Sequence, residues 1–219
     1  MKNRTSITIA VLAAIAVIVV GIGVIVYGRS TPKSTAHTES MSAGSMHNES
    51  TLANLKAQSG DAYDQLFLTM MSEHHAGAIA MAKYVLNDAK HPEIRTLAAG
   101  IIAAQTKELT EMKSWASAWG YAYTAPSQKI IDENIVSFKG KTGDALDKQF
   151  LTDMLGHHQG ALDMATLSAT RAKHAEIKTL SDNIISTQTN EIAHMKGYAS
   201  TFGYQNLDSA DDYMHSMHM

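Results

Sequence analysis

The chain has 219 residues, which is long enough for one ordinary domain with an appendage. Its formal charge of -3 comes from 18 basic and 21 acidic residues scattered along the sequence, so there is no basic stripe that would neutralise nucleic-acid phosphates. Cysteine is absent, whereas there are 13 methionines and 11 histidines, so any bound metal must be held by thioether, imidazole and carboxylate groups.

The first segment, residues 1–29, predicts a membrane anchor. No charged residue occurs between Ile7 and Tyr27, and about 20 apolar residues are what a helix needs to cross a bilayer. This run is longer than the apolar part of a secretory signal, and no clear cleavage site follows it. We therefore expect a single-pass transmembrane helix, with a cleaved signal as the alternative, and we expect the rest of the chain on the extracytoplasmic side.

The remainder of the chain divides into a tether, a duplicated domain and a tail. Residues 30–60 are rich in Ser, Thr, Ala and Gly without a periodic apolar face, which is typical of a flexible tether. The domain spans residues 61–204, in which residues 61–121 and 144–204 align without a gap at an offset of 83, with about half of the positions identical. Residues 205–219 form the tail.

Each copy of the duplication predicts a helical hairpin. Apolar residues recur at helical spacing over residues 62–86, and Asp61 is the expected N-cap of this helix. Pro92 suits the first turn of a helix, so a second helix is expected from about Glu93 to Trp119. Short connections between such helices make them antiparallel neighbours.

Two hairpins together predict an all-α four-helix bundle. The connection between them, residues 122–143, is long enough to cross the bundle, as in ferritin-like topology. It also has room for a short helix at residues 130–138.

The most distinctive motif is "MMSEHHAGAIAMA", which starts at residue 70 and is repeated as "DMLGHHQGALDMA" from residue 153. On a helical wheel, Met71, Met81 and both histidines of the first copy share one face. Met71 and Met81 are nevertheless about 15 Å apart along the helix axis and cannot bind one ion in common. The compact candidate is therefore Met71 with His74 or His75.

The second helix of each hairpin brings polar groups to the same region. Gln105 and Glu108 lie on its inward stripe, and folding the hairpin places Gln105 opposite His74 and Glu108 opposite Met71. A buried carboxylate is costly unless it is paired or coordinates a metal. Because His74 and His157 lie near the middle of their helices, the two copies are expected to meet halfway through the bundle.

These repeated motifs resemble those of a known family. HHxGA followed by Met, and QTxE followed by Met, each occur twice in the same order. Over residues 61–204 this pattern is similar to the ferritin-like DUF family of His- and Met-rich secreted bacterial proteins, which includes a copper-binding member. The resemblance implies a four-helix bundle that binds copper, for export, storage or resistance.

Two groups of candidate metal ligands follow. The main group combines the repeated Met and His residues with two carboxylates and one further histidine: Met71, His74, His75, Met81, Glu108, Met112, Met154, His157, His158, Met164, Glu191, His194 and Met195. The weaker group lies in the tether and the tail: Met41, Met46, His47, Met214, His215, Met217, His218 and Met219. His91 and His174 precede helix starts, where a capping or packing role is expected.

The ligand types favour copper. Thioethers are soft ligands that select Cu(I), with Ag(I) as a related cation, whereas zinc sites prefer thiolate, imidazole and carboxylate. Histidine must be neutral to bind a metal, so affinity is expected to fall as the pH drops through about 6.5.

Two other functions are compatible with the sequence. A di-iron or di-manganese oxidase needs a Glu from each of two helices and Glu-x-x-His from each of the other two. Glu191 and His194 form one such motif, but Glu111 matches His194, and Gly156 matches Glu73, so the set is incomplete. The other alternative is a metal-free, membrane-tethered interaction module. We predict a membrane-anchored copper-binding protein without enzymatic activity, which sequesters copper or passes it to a partner protein.

Overall fold

The structure is a computed structural model that describes residues 49–205 and Leu207. The secondary-structure elements of these residues are helices: α1 Glu49–Ala57, α2 Gly60–Val85, α3 Pro92–Trp119, α4 Gln128–Asn134, a 3-10 turn Val136–Phe138, α5 Gly143–Thr166, α6 Ser168–Arg171 and α7 Ala175–Phe202. The predicted membrane anchor, most of the tether and most of the tail lie outside the described residues. Among the helices that the structure does describe, none is both long and apolar enough to cross a bilayer.

The four long helices form two hairpins that pack through their first helices. α2 lies against α3, and α5 lies against α7, with the single-turn α6 in the second connection. The hairpins join where α2 contacts α5, whereas α3 and α7 touch each other little. Residues at the middle of α2 and α5 therefore lie at the junction of the two copies.

The helix ends agree with the sequence in one hairpin helix and differ in the other. α3 has Pro92 in its first turn and ends at Gly120, whose left-handed φ of 72° suits glycine. At the start of α2, Ser59 occupies the N-cap position and Asp61 lies in the first turn, so the predicted cap is wrong. The Asp61 carboxylate instead accepts a hydrogen bond from the Lys173 ammonium at 2.8 Å, because a tertiary partner replaces the backbone N–H groups.

The tether predicted for residues 30–60 is wrong in its last part. α1 occupies this part, and its Leu52 and Leu55 side chains are buried. Phe138, which lies 83 residues after Leu55, is also buried, so the duplication extends upstream of residue 61. A nine-residue helix with two core leucines is too short to produce a periodic pattern that stands out from its Ser- and Thr-rich surroundings.

The connection between the hairpins contains α4 and the 3-10 turn, in agreement with the short helix expected at residues 130–138. α4 packs against α2 at Gly77. A Cβ atom at Gly77 would lie 2.8 Å from the side chain of Asn134, which is buried against this point. The close approach of α4 therefore requires glycine at this position.

Replacing Gly77 by Ala is expected to destabilise the fold by about 1 to 3 kcal/mol, because the added methyl group must displace Asn134 and α4. Gly100→Ala is the matched control, since a Cβ at Gly100 meets nothing within 4 Å. There the better helix propensity of alanine should be neutral or stabilise by up to about 1 kcal/mol. Urea unfolding followed by circular dichroism measures both variants, and equal stabilities would contradict the close packing of α4 on α2.

The apolar core consists of two clusters, one toward each end of the paired hairpins. The first includes Met81, Met154 and Met195, and the second includes Met71, Met112 and Met164. The C-terminal half of α2 shares the first cluster with the N-terminal half of α5, so these two helices are antiparallel. Buried polar residues from all four long helices separate the two clusters.

Candidate metal centre

The polar layer between the two clusters is centred on the repeated histidines. His74, His75, His157 and His158 are all buried. The rings of His74 and His157 have their centroids 3.6 Å apart, with an angle of 45° between their planes. The two copies therefore meet at mid-depth, as the sequence predicts. We call these four histidines, with Gln105, Glu108, Gln188 and Glu191, the histidine layer.

The two carboxylates of the layer hold two of the imidazoles. His75 Nε2 donates to Glu108 Oε2 at 2.7 Å, and His158 Nε2 donates to Glu191 Oε2 at the same distance. The sequence predicted Met71 as the neighbour of Glu108, one helical turn away from the observed partner. A helical side chain leans toward the N-terminus of its own helix, so Glu108 reaches a later residue of antiparallel α2 than counting from the turn suggests.

The Nδ1 atoms of His75 and His158 are the groups in the layer that could bind a metal ion. Nδ1 of His75 and Nδ1 of His158 are buried and have no hydrogen-bond partner. Because an ionised carboxylate can only accept, Nε2 carries the proton in each neutral ring and Nδ1 carries a lone pair. Histidines that bind metals are held in this way, with the opposite N–H donated to a carboxylate.

The glutamines of the layer add further unmet hydrogen-bonding capacity. Both polar side-chain atoms of Gln105 and the Oε1 atom of Gln188 are buried without a hydrogen-bond partner. An unsatisfied buried polar atom costs about 1 to 3 kcal/mol. A layer with several such atoms is stabilised when an ion or a water molecule occupies it.

The methionines of the candidate site differ in their surroundings. Met71 and Met154 are fully buried, and each lies four residues before the histidine that bonds a glutamate, on the same helix face. Met112 accepts a hydrogen bond from the Ser72 hydroxyl at 3.8 Å, within an apolar cluster. All six of these methionines, including Met81, Met164 and Met195, are buried in the apolar clusters.

The donor set of the histidine layer is poor in carboxylates. No group of three or more His, Asp or Glu residues able to hold one ion occurs within the part of the chain that the structure describes. A di-metal carboxylate site would need Glu191 and His194 to converge in the core. His194 is instead exposed on α7.

The weaker ligands predicted from the tether and the tail cannot be placed in this arrangement. All of them lie outside the described residues: Met41, Met46, His47, Met214, His215, Met217, His218 and Met219.

His91 and His174 belong to a different pair of sites, which we call the clamps. Each occupies the N-cap position of a helix without a side-chain capping bond. His174 Nδ1 donates to Asp64 at 2.7 Å, and its ring stacks on Trp119 at 3.8 Å between centroids. His91 makes the corresponding pair with Asp147, at 2.8 Å, and stacks on Phe202.

The clamps explain how the histidine layer is assembled. Asp64 lies on α2 of the first hairpin but also accepts the backbone N–H groups of Lys173 and His174, just before α7 of the second hairpin. Asp147 binds the loop before α3 in the same manner. The two fully buried aspartates thus fix the docking of the hairpins, on which the contact of His74 with His157 depends.

Sequence reasoning did not select these aspartates, although Asp64 and Asp147 lie 83 residues apart and so occupy matching positions of the duplication.

Acidification is expected to weaken an exposed ion pair beside each clamp, Asp61 with Lys173 and Asp144 with Lys90. Hydrogen bonds from the Lys173 and Lys90 ammonium groups, and then from Tyr121 and Tyr204, lower the pKa of Asp61 and Asp144 below the ordinary value of 3.8. A carboxyl group whose pKa is lowered by folding stabilises the native state above its unfolded pKa, and this stabilisation is lost as the pH falls through the folded pKa.

The midpoint temperature of thermal unfolding should therefore decrease as the pH is lowered from about 5 to about 3. The variant with Asp61→Asn and Asp144→Asn should show a shallower fall. The same slope in both proteins would contradict the role of these two carboxylates.

Comparison with known proteins agrees with the duplicated architecture. The sequence pattern of the family described as "Domain of unknown function (DUF305)" matches residues 21–116 and 130–219, which together make up most of the chain. The protein belongs to the DUF305 family. This confirms the resemblance noted in the sequence, and each matched stretch covers all or nearly all of one hairpin.

Solved DUF305 structures share the fold. CopM in its Cu(I)-bound form is 34% identical, with a TM-score of 0.57, over 64% of this chain and 96% of CopM. CopM is also known in an Ag-bound form, which matches with a TM-score of 0.55. A DUF305 fragment from Deinococcus radiodurans is 25% identical over 63% of this chain and 95% of the fragment, with a TM-score of 0.55.

One curated relative shares a shorter stretch. The uncharacterized protein L153 of Acanthamoeba polyphaga mimivirus is 43% identical over 51 residues, which is 23% of this chain and 34% of that protein. The match thus spans about a third of the length of that relative.

Proposed function

We propose that this DUF305 protein binds Cu(I) in the histidine layer between its two hairpins. The observation that carries the proposal is the repeated arrangement at His75 and His158, in which a carboxylate holds Nε2 and the buried Nδ1 has no hydrogen-bond partner. Each copy thus offers one such lone pair on a buried imidazole. A metal ion bound at this nitrogen would take the place of the missing hydrogen-bond donor.

The choice of Cu(I) rests on the accompanying ligands. The buried thioethers of Met71 and Met154 lie on the same helix faces as the imidazoles of His75 and His158, respectively. Thioethers favour Cu(I) and other soft cations over zinc. The similarity to CopM, which has Cu(I)-bound and Ag-bound forms, supports the same preference here. The proposal includes Ag(I) as a second cation of the same chemistry.

The proposal places the domain outside the cytoplasm, held to the membrane by residues 1–29. Two features support this location. The run from Ile7 to Tyr27 is uncharged, and the proposed ligands include methionine, which unlike cysteine does not oxidise to a disulfide. There the protein sequesters copper or passes it to a partner protein, and no catalytic step is assigned to it.

Metal retention by the full-length chain tests this function. The protein is purified in detergent, exposed without oxygen to Cu(I), Ag(I) or Zn(II), and then challenged with a chelator for each ion. We expect Cu(I) and Ag(I) to remain bound and Zn(II) to be removed. Retention of zinc alone, or of no metal, would contradict the proposal.

The tail is expected to add capacity without forming the tightest site, because a segment without a scaffold does not preorganise ligands. Deleting residues 208–219 keeps Leu207, which packs against the apolar core. The truncated protein should bind fewer weakly held copper ions and keep its tightest affinity, as measured by equilibrium dialysis and chelator competition. Loss of the tightest site on this deletion would show that the tail, and not the histidine layer, holds that ion.

A further inference from the structure

Two surface grooves between α3 and α7 are copies of each other. One has a volume of about 420 Å³ and the other about 390 Å³. Their linings correspond at the offset of 83 residues, with the matched pairs Thr96 and Thr179, Lys107 and Asn190, Glu111 and His194, and Trp115 and Tyr198. The duplication therefore produced two matched grooves on the outside of the bundle, and the larger one is lined by Glu191 of the histidine layer.

The two grooves differ in their charged groups. In the smaller groove, which we call the α3 groove, Lys107 Nζ of α3 forms an ion pair with Glu111 Oε1 at 2.9 Å. In the larger groove, which we call the α7 groove, the matching residues are Asn190 and His194 of α7. They replace this ion pair with an amide and an exposed imidazole. A neutral imidazole can bind a soft cation, whereas an ammonium group repels one.

The α7 groove is connected to the buried layer through one side chain. Glu191 lines this groove together with His194, which lies one turn further along α7. The same carboxylate accepts the hydrogen bond of His158 through Oε2, and its side chain is 15% exposed. Glu191 thus joins the groove to an imidazole that solvent does not reach.

We propose that the groove at Asn190 and His194 is the port through which Cu(I) enters and leaves the histidine layer. This inference rests on the copper binding proposed above and deepens it. His194 and the Glu191 carboxylate bind the ion first, and the ion then passes along Glu191 to the buried imidazoles. The α3 groove, where Lys107 and Glu111 pair with each other, is the closed copy.

Exchange of residues between the two grooves tests the port. The closed variant has Asn190→Lys and His194→Glu, and the opened variant has Lys107→Asn and Glu111→His. Each new side chain already occurs at the matched position of the other copy, so both variants preserve the groove and the helix. The full-length chain is mixed with the coloured Cu(I) complex of bicinchoninate, and transfer of copper to the protein is followed by stopped-flow absorbance.

We expect the closed variant to take up Cu(I) about tenfold more slowly, because local attraction of an ion at a cleft changes rates by at least this factor. Its equilibrium affinity should match the wild type, so release to excess chelator must slow by the same factor. The opened variant should take up Cu(I) faster than the wild type.

Three outcomes would overturn the port. Unchanged rates in both variants, with tight binding retained, would place the route elsewhere and leave the copper-binding function intact. A loss of equilibrium affinity in the closed variant would make His194 a resident ligand instead of a port. If the wild type removes no copper from bicinchoninate, the proposed function fails together with the port.

Discussion

Replacing His75 and His158 together by phenylalanine should weaken the binding of Cu(I) by more than about 100-fold. Loss of only the carboxylates that hold metal-bound histidines already costs about 10-fold to 100-fold, and here the imidazoles themselves are removed. Phenylalanine keeps the ring volume in a fully buried position, so the helices should remain folded. Competition with a Cu(I) chelator measures the affinity, and circular dichroism checks the helix content.

Two further pairs of substitutions serve as controls. Glu108→Gln with Glu191→Gln keeps both imidazoles and should weaken binding by about tenfold, because a neutral amide orients each ring less strongly. Met81→Leu with Met164→Leu changes buried residues of the apolar clusters at nearly constant volume and should have a small effect. A folded double phenylalanine variant with unchanged affinity would exclude these histidines as ligands.

The largest effect on stability is expected from Asp64→Ala or Asp147→Ala. Each carboxylate is fully buried and accepts two backbone N–H groups and one imidazole N–H. Its removal leaves these donors without partners and should cost about 3 kcal/mol or more. Chemical unfolding of each variant measures the free-energy change.

Asp182→Ala is the matched control, because Asp182 is exposed on α7, and its removal should change stability by less than about 0.5 kcal/mol. Equal stabilities of the Asp64 and Asp182 variants would show that the clamps do not hold the hairpins together. A further consequence is specific to the function. A clamp variant that remains folded should also lose copper affinity, because the clamp sets the contact of His74 with His157.

The hairpins could be predicted because their signals are periodic and repeated. Helical spacing, Pro92 and Gly120 define α3 to within a residue, and the duplication supplies a second copy of each feature. α1 was missed because it is short and its two buried leucines lie in a polar segment. The duplication nevertheless contained this information, since Leu55 and Phe138 are separated by the same offset as the histidines.

The residues of the candidate site could be predicted from the sequence more readily than their hydrogen-bond partners. The sequence places His74 and His157 at the junction of the copies, because each lies near the middle of its helix. It could not show that Glu108 bonds His75, since that depends on the direction in which a long side chain leans. The unpartnered Nδ1 atoms depend on ring orientation, which no spacing of residues specifies.

The clamp aspartates could not be predicted from local sequence at all. An aspartate near the start of an amphipathic helix usually faces solvent, so Asp64 and Asp147 carry no local signal of burial. Their role arises only when the second hairpin brings the loop before α7, or α3, against them. Comparison of all polar residues repeated in both copies would have selected them.

The most direct test of the copper site is the location of the ion itself. Crystals of the protein loaded with Cu(I), or with Ag(I) as a redox-stable substitute, can be examined by anomalous diffraction at the absorption edge of the metal. We expect an ion in the histidine layer, bonded to Nδ1 of His75 or of His158, with a methionine sulfur among its ligands. Metal found only at the clamps or on the outer surface, with the histidine layer empty, would contradict it.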